Sequence, residues 1–543
     1  MTAAELRTAG AVPVRPIAGG AYTRLALHQV RRGALVVLAV TAGMSALVAT
    51  TYESTVGDAL DPAALAALAE NPAIRTLFGE PVALDSAGGF TVWRTGTVLA
   101  VLLSVWGLLA ATRITRGEED AGRWGLLLAG RLALPAVLRR HLTVLCGVMG
   151  LTGVAVAGAL TAVGTPPAGA AVHGAGLALA GMFAVAAAIL AGQVLPTRAG
   201  ASGAAVALLG LGLLARMVGD GVAALAWLRW LSPYGLLALT RPYREDRALP
   251  LVVLALATVV VGAVALALAG RRDVGAGLVA PAAGRAPRRW LLGSVRAFAV
   301  RRLLRPLAGW SAGVGAYFLL IGVLAVSMTD FLADNQRFAD LAGEAGFAGL
   351  GSVRGYTATM FALLAVPVGV FAAVRMAGFA AAEADRRLTG LHAQPITRGR
   401  LLGAEVAATG AGAAVLLTVA GAATWLGAAA VDADLPVLAA LAGTWNVLPI
   451  ALLCLGAAVL ALGWAPRAVA AAGALPAAGG FLLQVVADST GAPAWVSRLS
   501  PFAHLAAVPD TAPNWPASAV MTALAGAALL AGGYGYRRRD LRG

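Results

Sequence analysis

Twelve stretches of this chain are long, apolar and almost free of charge, and that pattern leaves few folds open. The hydrocarbon core of a bilayer takes about 20 residues of helix to cross. No water is present there to satisfy backbone N–H and C=O groups, so such a segment is stable as an α-helix, which satisfies them internally. The first half supplies Ala34–Thr51, Val92–Thr112, Leu142–Val163, Ala171–Leu195, Ala201–Val222 and Leu249–Gly270. The second supplies Trp310–Met328, Ala358–Ala377, Leu402–Ala430, Val437–Gly463, Ala468–Ala487 and Ala517–Tyr536. Charged residues make up only 12% of 543 positions, against about 25% in a soluble domain. The expectation is an all-α, polytopic membrane protein with twelve transmembrane helices.

An even number of spans puts both termini on one side. The chain contains no lysine, and 31 of its 41 arginines fall in segments that this topology collects on a single side, chiefly Arg7–Arg32, Arg113–Arg140, Arg271–Arg305, Arg375–Arg400 and Arg537–Arg542. Basic loops stay cytoplasmic, so both termini are expected there. The loop Tyr52–Gly89 then lies outside, with Glu53, Asp58, Asp61, Glu70, Glu80 and Asp85 against Arg75. A net charge of +15 would otherwise suggest nucleic acid, but the arginines flank apolar spans instead of forming one basic domain. Cys146 and Cys454 fall in spans and read as small apolar fillers. No cleavable signal peptide is expected, because the first apolar run continues as a full span. Arginine without lysine, with abundant Ala and Gly, indicates a GC-rich bacterial genome and hence a bacterial cell (inner) membrane.

The two halves repeat each other. Asp220, Trp227, Leu231, Ser232, Pro233 and Tyr234 recur as Asp488, Trp495, Leu499, Ser500, Pro501 and Phe502, at an offset of 268. Glu119, Arg123, Leu127 and Ala129 recur as Glu383, Arg387, Leu391 and Ala393 at 264, and Arg24 recurs as Arg296 at 272. Offsets this long exceed solenoid periods and indicate a duplicated six-span unit. Six spans per unit leave the copies parallel, as two pseudo-two-fold six-helix bundles about an axis along the membrane normal. Residues 1–270 form the first, 271–293 a cytoplasmic linker and 294–543 the second.

Three paired features carry the functional expectations. The connections between spans two and three of each half, Arg113–Arg140 and Arg375–Leu402, begin with acids, pass through an Arg and present a short Leu/Ala stripe. An amphipathic helix of that kind lies at the interface, where a cytosolic partner can push on it. Glu118, Glu119, Arg123, Glu383 and Arg387 are its candidate contacts, and an ordinary juxtamembrane loop is the plainer reading. Tyr22–Arg32 and Ser294–Arg305 precede the first span of each half as amphipathic leading helices, expected to lie flat on the surface. There Arg24, Arg31, Arg296 and Arg301 would meet anionic lipid or the docking partner. Asp220 and Asp488 stand near the outer ends of spans five and eleven, each before a Trp-x-x-x-Leu-Ser-Pro-aromatic turn. Proline stops a helix and Trp prefers the interface, so short outer helices are expected to dip into the boundary. Asp220, Trp227, Ser232, Pro233, Asp488, Trp495, Ser500 and Pro501 are candidates for an outer gate or, equally, a structural cap. Arg216, four residues before Asp220, can neutralise it on one helical face, and Glu405 is expected to snorkel to the cytoplasmic surface.

Several signals are absent. A G-x-x-x-x-G-K-[ST] phosphate loop needs a lysine that the chain lacks. The five histidines show no metal-ligand spacing, and no run of acids along the spans suggests a proton relay. The chain is expected to be a transport body, not an enzyme, with no cofactor of its own.

Six spans per half, an amphipathic leading helix, an E-x-x-[GR]-R-x-x-x-L-x-A connection (Glu119–Ala129, Glu383–Ala393) and an outer Leu-Ser-Pro turn before span six resemble the permease of ABC-2-type exporters. The double-length form is similar to the polyketide-antibiotic (tetronasin-type) exporter permeases of actinobacteria. The connection motif is complete in the first half, while Arg386 replaces its Gly in the second. The resemblance implies two copies of a separate cytosolic ABC ATPase subunit binding Mg-ATP, one under each connection. Closure of the ATPases would rock the bundles and release a lipophilic small-molecule substrate, an antibiotic or drug, outward. Export of lipid or polysaccharide by the same architecture is an alternative, as is a gradient-driven secondary transporter. A membrane glycosyltransferase would use acids such as those of Tyr52–Gly89, but the run Ala63–Ala69 in that loop reads as structural.

Overall fold

The computed structural model describes residues 17–52, 74–76, 79–129, 133–279, 290–334, 348–490 and 493–539. No strand occurs among them, and twelve helices are long and apolar enough to cross a membrane. The chain is an all-α, multi-pass membrane protein. It divides into two compact units, Met1–Arg285 and Ala286–Gly543. Most of the loop Tyr52–Gly89, including Ala63–Ala69, lies outside the described residues, as do residues 280–289.

In the first unit the long helices are α1 (Ile17–Thr50), α2 (Ala87–Ile114), α5 (Leu134–Ala162), α6 (Pro167–Val194), α7 (Arg198–Gly221) and α9 (Leu249–Ala269). The short α3 (Arg116–Asp120) and α4 (Arg123–Leu127) form the connection after α2, and a 3-10 helix (Ala223–Leu231) and α8 (Pro233–Leu239) separate α7 from α9. Leu103, Leu138, Leu145, Met149, Leu177 and Val185 belong to the buried core. Lipid tails are as apolar as Leu, so helices associate by close fit more than by hydrophobic drive. Gly153 of α5 and Gly174 of α6 provide that fit: a Cβ on either would meet the backbone carbonyl of the other.

In the second unit α10 (Val295–Val323), α11 (Ala325–Asp334), α12 (Val353–Ala384), α13 (Thr389–His392) and α14 (Arg398–Ala429) lead to α15 (Val437–Trp445) and α16 (Leu448–Trp464). Then come α17 (Val469–Ala474), a π-turn (Leu475–Gly479), α18 (Gly480–Thr490), α19 (Ala494–Ser497), a 3-10 turn (Pro501–His504) and α20 (Trp515–Arg538). Span ten is broken at Asn446–Val447 before Pro449, and span eleven bulges at Pro476, each proline removing an N–H from the ladder. The first unit has Gly181 and Leu208 at the positions 268 residues earlier, and α6 and α7 run uninterrupted.

One expectation is corrected. Tyr22–Arg32 and Ser294–Arg305 are not separate helices lying on a surface. Arg24 and Arg31 lie in the opening turns of α1, and Arg296 and Arg301 in those of α10. Nothing between Arg32 and Ala34 or between Arg305 and Trp310 ends the helix: Gly33 is tolerated, and α10 runs through Pro306 although its missing N–H removes one hydrogen bond.

Candidate functional site

The connection after α2 is built as two short helices joined by Gly122, whose φ of +73° turns the chain sharply. An uninterrupted amphipathic helix is therefore not what forms there. Trp124 turns inward against His141, with ring centroids 5.9 Å apart, while Leu126 is 83% exposed. Tyr22 of α1 donates its hydroxyl to the Leu127 carbonyl at 2.6 Å, bracing α4 from behind. Glu118 and Arg123 pair with each other at 2.5 Å on the solvent side.

Glu119 behaves differently. Its side chain is 1% exposed, and it takes two hydrogen bonds from Arg272, at 2.5 and 2.7 Å, and one from the Gly275 backbone N–H at 2.7 Å. Arg116, equally buried, lies 3.2 Å from Glu119 and 3.1 Å from Asp120. It also donates to the carbonyls of Pro196, Gly275 and Ala276. Arg272 bonds Gln193 at 2.9 Å, and Leu278 and Val279 donate to the backbone of Gln193 and Val194. The connection, the end of α6, the start of α7 and the chain beyond α9 thus meet in one buried polar node. Buried charges of this kind are stable only when every one is paired.

The second unit repeats the core of this arrangement. Arg386 occupies the turn with a φ of +58°, the left-handed region that Gly122 uses in the first unit. Glu383 is ion-paired with Arg539, just beyond α20. Arg539 lies over the Tyr536 ring at 5.1 Å, and its carbonyl accepts from Arg398 at 2.8 Å. Arg387 and Asp385 pair at 3.0 Å on the exposed side. Glu405 does not snorkel: it is 1% exposed and held by Arg302 at 2.7 Å and Arg375 at 3.0 Å, because an unpaired carboxylate at that depth would be costly.

At the opposite end of each unit the Leu-Ser-Pro turns are held in the same way, by a serine that caps the following turn and bonds back to the preceding helix. Buried Ser232 accepts from the N–H groups of Tyr234 and Gly235 and donates to the Gly212 carbonyl at 2.6 Å. Ser500 accepts from Phe502 N–H and donates to the Gly480 carbonyl at 2.9 Å. Each serine is a helix N-cap with proline at the first helical position, stapled to the preceding long helix. Trp227 and Trp495 are exposed, as side chains at a lipid–water boundary should be. Arg216 and Asp220 pair at 2.6 Å as expected. Arg229 bridges Asp220 and Glu80, Arg241 pairs with Glu80, and Glu245 joins Arg241 to Arg247, forming a charge ladder across the end of the first unit. Asp488 lies in α18, but its side chain is outside the described residues.

Residue patterning missed several of these groups. Arg272 and Arg539 sit in matching Arg-Arg-Asp runs, Arg271–Asp273 and Arg538–Asp540, at an offset of 267. They were hidden among arginines already accounted for by membrane orientation. Tyr243, with a φ of +65°, wedges its ring beside Gly88 and Gly169 and bonds Thr165 at 3.0 Å. Burial raises its hydroxyl pKa, with the Thr165 bond opposing. His173 of α6 is fully buried, with neither ring nitrogen hydrogen-bonded among the described residues, beside a cavity also lined by Glu80, Trp93, Thr97 and Tyr234. Among the described residues no cluster of His, Cys, Asp and Glu could hold a metal ion.

Residues 292–537 match the family described as the multidrug efflux system permease Rv1217c, C-terminal domain. Across 484 residues the chain is 29% identical to the multidrug efflux system permease protein Rv1217c of Mycobacterium tuberculosis (strain ATCC 25618 / H37Rv), covering 88% of this chain and 87% of that one. The similarity runs through both units and supports a permease.

Proposed function

We propose that this chain is the membrane-spanning permease of an ATP-driven, ABC-2-type exporter of lipophilic drugs or antibiotics, in the bacterial cell membrane with both termini cytoplasmic. The energy comes from two copies of a separate cytosolic ATPase that binds Mg-ATP, one under each connection. A relative described as a multidrug efflux permease supports the drug-export reading. The observation that carries the coupling role is a connection in each unit whose glutamate is anchored within the unit while neighbouring charges face water. A docking surface needs that combination: groups that solvent, and so a partner, can reach, on a backing that does not yield. Arg123 and Leu126, with the partly buried Glu118 paired to Arg123, form the surface in the first unit, and Asp385 and Arg387 in the second. The outer Leu-Ser-Pro turns would close the pathway until the units move.

The test is ATP-driven accumulation of ethidium, a lipophilic cation, in inside-out vesicles carrying the chain and the ATPase encoded beside it. Accumulation should survive collapse of the proton gradient and disappear without ATP. Leu126→Asp with Arg123→Glu should abolish ATPase co-purification while the chain still folds. Transport that follows the proton gradient with ATP intact would overturn the proposal in favour of a secondary transporter.

A further inference from the structure

Each half closes its connection glutamate with an arginine that follows its own last span. In the first, Arg272 begins three residues after α9 ends at Ala269. In the second, Arg539 directly follows α20, which ends at Arg538. The surroundings of the two pairs have diverged: Arg116, Gln193 and the Gly275 N–H complete the first, whereas Arg398 and Tyr536 flank the second. The glutamate–arginine contact is what the two share. A nearly buried carboxylate bound to a guanidinium cannot part from it without leaving a charge uncompensated. The two helix ends it joins are therefore bound to move together.

We infer that Arg272 and Arg539 are positioning residues of the transport cycle. Each clamps the connection of its half to the end of the sixth span of that half, so that displacement of the connection passes directly to that span. Span six lies outside the sequence neighbourhood of the connection, and in the first half the Arg116 bonds to the Gly275 and Ala276 carbonyls run alongside the clamp. In the first half the clamp also gathers the ends of α6 and α7, so the push reaches three spans there. This rests on the coupling role proposed above for the connections.

The clamp itself is tested without a partner, by hydrogen–deuterium exchange on the full chain in detergent. Arg272→Ala should speed exchange of the Gly275, Leu278 and Val279 amides by about tenfold, the loss of one charge-assisted pair, and Arg539→Ala should leave them unchanged. Unaltered exchange in Arg272→Ala would overturn the clamp. Transmission is tested in the ethidium assay with the ATPase present. Arg272→Ala and Arg539→Ala should retain ATPase co-purification and basal hydrolysis but transport about tenfold less ethidium per ATP hydrolysed. The swap Glu383→Arg with Arg539→Glu should recover most of what Arg539→Ala loses, and it decides the matter if the single variants fold poorly. Wild-type transport per ATP in the single variants, loss of co-purification in them, or a folded swap that stays uncoupled would each overturn the inference. If the wild-type chain neither recruits nor responds to an ATPase, the coupling role fails instead, and the exchange result still stands for the clamp.

Discussion

Gly122 and Arg386 occupy the same left-handed turn, and only the glycine does so without strain. A non-glycine residue there costs about 1–2 kcal/mol. Arg386→Gly should therefore stabilise the chain by about 1 kcal/mol and Gly122→Ala should destabilise it by a similar amount, both read as shifts in thermal unfolding in detergent. The connection motif is thus a backbone requirement first and a chemical one second. Ser500→Ala should cost about 1–2 kcal/mol, since it removes an N-cap and a buried bond to Gly480 together. His173→Leu should be neutral or stabilising by up to about 1 kcal/mol, because neither ring nitrogen has a partner among the described residues. A loss above about 2 kcal/mol on His173→Leu would mean that the ring has a partner beyond the described residues.

Among the elements, the segment between α8 and α9 holds the most local tension. Arg241, Tyr243 and Asp246 all have positive φ, at +45°, +65° and +47°. Ion pairs from Glu245 to Arg241 and Arg247 hold them there. Those hydrogen bonds, the one from Arg241 first, set the Glu245 carboxyl below the ordinary glutamate range. A folded-state pKa that is depressed gives support that is present at neutral pH and lost as pH falls through the lowered value. Glu245→Gln should accordingly raise hydrogen exchange across 241–247 at neutral pH, and have little effect where wild-type Glu245 is already protonated. An equal effect at both pH values would exclude the carboxylate as the brace. Among the long helices, spans were legible from length and hydropathy alone. The breaks at Pro449 and Pro476 were written in the sequence too, but an apolar stretch containing a proline reads much like one that crosses unbroken.

Within the first unit, alternating spans gather the connection and the segment after α9 at one end, and the Leu-Ser-Pro turn and charge ladder at the other. Orientation is then a single binary prediction. In a chain with Cys146 and Cys454 replaced by Ala, Leu126→Cys should react with a membrane-impermeant maleimide only after the membrane is opened. Trp227→Cys should react in intact cells. The reverse pattern would invert the topology and remove the cytosolic ATPase with it.

Sequence alone determined the class of this protein, because a bilayer accepts so few backbone arrangements that length, hydropathy and the placement of arginine nearly exhaust the choices. It also showed the duplication, since matching residues at fixed offsets need no coordinates to be seen. Which of those matched residues face water was decided only by the tertiary structure. Glu118 and Glu119 are adjacent acids on one short helix, yet one pairs at the surface and the other is sealed by an arginine 153 residues away. Hydropathy carries no information about that partner, because a buried charge is made tolerable by a contact, and contacts between distant residues exist only in the folded chain.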